Sequence, residues 1–149
     1  MIEDYVSFEV AKLLKEKGFP QDYNPYNAMV YNEEDYEQEY EVQRMVTETK
    51  LVKAGTLSNY PLNVQKPKCY APTLQMAAKW LRVIHNIYIE VEPHAFDGDW
   101  ASSYECNYWF NSKFYIPYAT RGHLLENKTW RTYEEALNSV IEYCLTNLI

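Results

Sequence analysis

Glycine is scarce, at four positions in 149 residues, and none sits in a G-x-G-x-x-G or G-K-[ST] arrangement. A phosphate-cradling loop of either kind is therefore not written into the chain. Histidine is rarer still. His85, His94 and His123 are scattered, without the H-x-x-x-H or H-E-x-x-H spacing that would put two imidazoles on one helix face. His94 lies near Asp97 and Asp99, but the closing Glu of an EF-hand-like loop is missing, so this cluster reads as a solvated turn. Three cysteines, Cys69, Cys106 and Cys144, are an odd number and far apart, which gives neither a zinc pair nor a disulfide framework. No serine occupies a G-x-S-x-G elbow. No apolar run approaches the ~20 residues of a membrane span. The acidic N-terminal residues lack the basic-then-apolar order of a signal peptide, so a cytoplasmic location is expected. Basic residues number 14 against 21 acidic ones and form no stripe, which argues against direct nucleic-acid binding.

What is abundant is aromatic surface. Tyrosine supplies 15 of the residues and the aromatic fraction is 16%. A phenol has a large apolar ring and a polar tip, and suits half-buried sheet faces and interfaces. The negative charge is also concentrated. Residues 33–48 hold seven acids against Arg44, a net −6, which leaves −1 for the other 133 residues.

The clearest structural signal is a helix running directly into a strand. From Pro72 to His85 the apolar residues recur at helical spacing, with Leu74, Ala77, Ala78, Leu81 and Ile84 on one side. Met76, Trp80 and Val83 widen that arc, so the helix is expected to be central and covered on most sides. Pro72 suits the first helical position. His85 reads as a residue near the C-terminus that bonds a carbonyl. From Ile87 the period drops to two, with Ile87, Ile89 and Val91 alternating with Tyr88, Glu90 and Glu92.

Two more helices follow from their stripes and ends. Residues 4–17 carry Val6, Val10, Leu13 and Leu14, and Gly18 with Phe19 and Pro20 predicts a Schellman ending with Phe19 against Leu14. Thr132-Tyr133-Glu134-Glu135 is a capping box before a stripe of Ala136, Leu137, Val140, Ile141, Cys144 and Leu148. Tyr104 to Phe110 alternates, and a short turn at Asn111-Ser112-Lys113 leads into Phe114–Tyr118, which predicts an antiparallel hairpin. Cys106 and Cys144 fall on core faces. Cys69 lies in the Pro- and Asn-containing connector 54–72, where burial and role are open. Residues 33–50 fit a capped helix and a strand equally. The fold class is α+β, a single domain over 1–149 with three helices packed on a small antiparallel sheet.

The segments Val6–Phe19, Ala71–Arg82 and Thr132–Leu137 with Cys144-Leu145 resemble small proteins encoded by phages, prophages and mobile elements of Bacteroides-type gut bacteria. The resemblance covers about a third of the chain and leaves out the acidic middle. It implies a phage or mobile-element context, and no activity, cofactor or catalytic residue.

These readings favour a non-enzymatic accessory or interaction protein, with no catalytic residue, cofactor or metal assigned. A spatial constellation need not show as a motif, so two alternatives stay open. One is a small enzyme or small-ligand binder using acidic residues near the sheet; the other is an acidic mimic of nucleic acid. The candidate contact residues are Glu33, Glu34, Asp35, Tyr36, Glu37, Glu39, Tyr40 and Glu41, facing a basic protein partner.

Overall fold

The computed structural model describes residues 4–22, 28–38, 44–59, 67–96, 99–115 and 129–149. The class is α+β, and the described residues form three helices and two three-stranded antiparallel sheets. The single sheet expected from the sequence is thus two. The chain divides into two compact units, Ser7–Pro72 and Met1–Val6 with Thr73–Ile149.

In the Ser7–Pro72 unit, helix α1 spans Phe8–Glu16 rather than 4–17. It starts late because the Ser7 hydroxyl accepts a hydrogen bond from the Val10 amide at 3.3 Å and caps the first turn. Val10, Ala11 and Leu14 are its buried stripe. The end is the Schellman motif foreseen. The Phe19 amide donates to the Leu14 carbonyl at 2.8 Å and the Gly18 amide to Lys15 at 3.2 Å, with Gly18 at φ +88° and Phe19 buried.

The described parts of the ambiguous segment, 33–38 and 44–50, belong to two strands. β1 (Met29–Gln38) pairs antiparallel with β2 (Arg44–Lys53), from Met29 opposite Lys53 to Gln38 opposite Arg44. The supposed connector contains a 3-10 turn, Ala54–Asn59, and a short strand β3 (Pro67–Tyr70) on the other edge of β1. Pro67 opens this edge strand, where a missing donor is tolerated. The Gln21 side chain ties it down, accepting from the Tyr70 amide at 3.1 Å.

In the other unit, α2 (Leu74–His85) and α3 (Tyr133–Asn147) pack on a sheet of order β4-β5-β6, made of Ile87–Phe96, Asp99–Phe110 and Lys113–Tyr115. Thr73 caps α2 by accepting from the Met76 amide at 3.2 Å, which places Pro72 before the cap and not at the first helical position. Asn86 closes α2 in the left-handed region at φ 56° and turns the chain straight into β4. The Thr132 hydroxyl caps α3 by accepting from Glu135 at 3.1 Å. The core joins Leu74, Ala77 and Leu81 of α2 and Ile87, Cys106 and Tyr108 of the sheet with the buried stripe of α3.

Two expectations for this unit need correcting. α2 is not covered on most sides: Met76, Val83 and Ile84 are 45%, 66% and 61% exposed. Among the described elements of its unit it packs on α3 and β4, which cover one stripe only. β4 does not stop at Glu92 but runs through Pro93, which stands opposite Tyr104. Because β4 is an edge strand, Pro93 removes no necessary ladder bond. Among the described residues, no helix is long and apolar enough to cross a membrane.

Candidate functional site

The helix-covered face of the β4-β5-β6 sheet takes Ile87 and Tyr108 into the core. Pleating sends the alternate residues to the other face. There, three aromatic residues line up across three strands. Tyr88 on β4 stands opposite Trp109 on β5, and Trp109 stands opposite Phe114 on β6. They are 50%, 39% and 46% exposed. The Trp109 and Phe114 rings meet at 5.1 Å between centroids, inclined by 60°. Glu90 and Glu92 follow Tyr88 on the same parity of β4, opposite Asn107 and Glu105.

Two backbone turns in the left-handed region frame the row. Asn86, at φ 56°, joins α2 to β4. Asn111 and Ser112, at φ 50° and 62°, form a two-residue loop between the paired residues Phe110 and Lys113. Positive φ at both central positions matches the twist of the hairpin it closes. Asn86, Tyr88, Glu90, Trp109 and Ser112 line an open cleft of about 440 Å³. Among the described residues Glu90 is its one charged lining residue, beside two aromatic rings, an amide and a hydroxyl.

No family model matches the sequence, no curated protein matches it, and no solved structure matches the fold.

The contact residues expected from the sequence lie elsewhere. Glu33, Glu34, Asp35, Tyr36 and Glu37 fall on β1, while Glu39, Tyr40 and Glu41 lie outside the described residues. Glu33 lines a groove of about 650 Å³ with Phe8, Lys12, Lys15, Glu16 and Cys69. Its charges are mixed. Lys12 pairs with Glu9 at 2.8 Å and sits 4.9 Å from the Phe8 ring centroid. The hydrogen bond to Glu9 raises the Lys12 pKa. Phe8 also meets Tyr31, at 5.3 Å between centroids, and burial raises the Tyr31 pKa.

The three thiols are buried, Cys69 included. Burial pushes the Cys144 thiol up to about 12, with Cys106 as a second cause. A thiol held in its neutral form is a poor nucleophile. His85 does not bond a carbonyl through Nε2, which is buried and has no hydrogen-bond partner among the described residues; the ring lies edge-on to Trp80 at 4.6 Å. Asp97 and His123, and the side chains of His94 and Asp99, lie outside the described residues. Among the described residues no group of three His, Cys, Asp or Glu is placed to hold a metal ion.

The aromatic row was half visible in the sequence. Alternation separates Tyr88 from Ile87 and Ile89, and Trp109 from Tyr108 and Phe110. What it does not supply is register, and register is what brings Tyr88, Trp109 and Phe114 side by side.

Proposed function

We propose that this chain is a non-enzymatic accessory protein that binds a protein partner through the outer face of the β4-β5-β6 sheet. The observation that carries this reading is the row of Tyr88, Trp109 and Phe114, all exposed on one sheet face. Large aromatic side chains left in water favour being covered, and Trp and Tyr are the residues most often dominant at protein contacts. The acidic stretch adds a second contribution. Glu33, Glu34, Asp35, Glu37, Glu39 and Glu41 give the chain a concentrated negative field that steers a basic partner, with Tyr36 and Tyr40 among them. A phage or mobile-element origin is part of the proposal and rests on the sequence resemblance alone.

The test is capture from bacterial lysate, with the intact chain and a Tyr88→Ser/Trp109→Ser/Phe114→Ser variant as parallel baits. The reading requires a protein that the parent retains and the variant loses. Equal retention by both removes the sheet face from the account.

The cleft beside the row favours a second reading, a small-ligand binder with Glu90 as its acidic group. Thermal-shift screening against metabolites and metals separates the two. A shift of several degrees with one class of small molecule supports the ligand reading.

A further inference from the structure

The cleft between Tyr88 and Trp109 has a chemistry narrower than protein contact in general. We infer that it takes an arginine side chain presented by the partner, an inference that rests on the proposed interaction role and names its ligand.

The lining residues argue for a cation. Indole and phenol faces carry negative quadrupole potential and attract a guanidinium lying over them. Tyr88 and Trp109 are cross-strand partners, so their side chains rise from adjacent points of one sheet face. Glu90, two residues further along β4, stands about 7 Å from Tyr88 along the strand. A guanidinium over the rings is then within side-chain reach of the carboxylate. The planar fork of arginine stacks on a ring and donates to a carboxylate at once, which a compact ammonium does less well. Asn86 and Ser112 add neutral acceptor oxygens at the rim.

The surroundings carry the same sign. Among the described residues, no Lys or Arg lines the cleft. Glu92 and Glu105 are opposite one another on the same face, one step beyond the Glu90–Asn107 pair. Lys113, next in sequence to Ser112, pairs with Phe110 and so has the opposite parity from Trp109 and Phe114. An aromatic platform for single-stranded nucleic acid would need cations for the phosphates, and this face presents carboxylates. A neutral sugar could lie on the rings and donate a hydroxyl to Glu90, but it brings no positive charge to pair with the carboxylates of this face.

The test uses the full chain and four probes: an acetylated, amidated Gly-Gly-Arg-Gly-Gly peptide, its citrulline and lysine counterparts, and a neutral disaccharide. Binding is read from the Trp109 indole N–H resonance, assigned with a Trp109→Phe variant. The arginine peptide should saturate that resonance at low salt. Citrulline keeps the shape and loses the charge, and should bind roughly tenfold more weakly. The lysine peptide should fall between them. Glu90→Gln should weaken the arginine peptide roughly threefold, and Glu142→Gln, at an exposed position of α3, should leave it unchanged. Thermal melts of the variants establish that each is folded. Equal binding of arginine and citrulline, an unaffected Glu90→Gln variant, or preference for the disaccharide overturns the inference. If the lysate partner is still lost on removing the aromatic row while arginine shows no preference, the interaction role stands and the ligand assignment fails.

Discussion

Tyr88 and Trp109 face each other across β4 and β5, and both are exposed to water although each has a neighbour in the core: Ile87 and Tyr108 are buried. The pair sits on the side of the sheet away from the helices. Folding of this unit leaves both residues only partly covered, and the proposed role gives the rest of each a partner.

Helix α2 provides a direct contrast between buried and open apolar residues. Leu81 is fully buried and Ile84 is not, three residues later. Leu81→Ala should cost about 2–5 kcal/mol, from lost burial and the cavity left behind. Ile84→Ala should change stability by less than ~0.5 kcal/mol. Denaturant melts of the two variants check this. Equal losses would mean that α2 is turned about its axis relative to the structure described.

Gly18 tests the backbone at the end of α1. A Cβ there would meet nothing within 4 Å, so the cost of Gly18→Ala is conformational, not steric. At φ +88° it should be about 1 kcal/mol. Gly18→Asn should cost less, because Asn tolerates the left-handed region. Identical losses for both would point to some other cause.

Cys144 gives stability a dependence on alkaline pH. Burial favours the neutral thiol, with the pKa pushed from 9.0 up to about 12. Above pH 9 the unfolded chain gives up this proton while the folded chain keeps it. The unfolded state then binds fewer protons, so stability falls as pH rises from about 9 towards 12. The slope from this one group approaches about 1.4 kcal/mol per pH unit. Comparing urea melts of the parent and Cys144→Ala across that range isolates it, because the variant lacks this contribution. The buried thiols also predict that maleimide at pH 8 labels the chain only after unfolding. Parallel pH curves, or rapid labelling of the folded chain at Cys144, would contradict the placement of α3.

The acidic stretch predicts a rate effect. Replacing Glu33, Glu34, Asp35 and Glu37 by Gln or Asn should leave the melting temperature nearly unchanged. It should slow association with the captured partner and flatten the salt dependence of that rate, since the Debye length falls from about 10 Å at 0.1 M to about 3 Å at 1 M salt. Unchanged rates at every salt concentration would reduce the stretch to a solvated surface.

Local chemistry made much of this legible in the sequence. Gly18-Phe19 and Thr132–Glu135 are read from side-chain type and spacing, and their hydrogen bonds are made between residues within a few positions. Position along the chain was less legible where a cap competed with a stripe: Val6 continues the α1 pattern, but Ser7 caps one residue later, and Val6 is buried ahead of the helix. Periodicity could not divide apolar residues into covered and open. Leu81 and Ile84 look alike in sequence, and only the number of neighbours around α2 separates them. The candidate site depended on long-range register, Tyr88 with Trp109 and Trp109 with Phe114, which no local pattern encodes. Charge drew attention to residues 33–41 because charge is visible without a fold.

The most direct measurement is the affinity of the captured partner for the parent chain and for Tyr88→Ser/Trp109→Ser/Phe114→Ser, by calorimetry at one salt concentration. Loss of the aromatic row should weaken binding by at least about tenfold, as truncation of a central aromatic anchor does. The melting temperature should show the variant still folded. An unchanged Kd for a folded variant would contradict the claim that this sheet face is the contact surface.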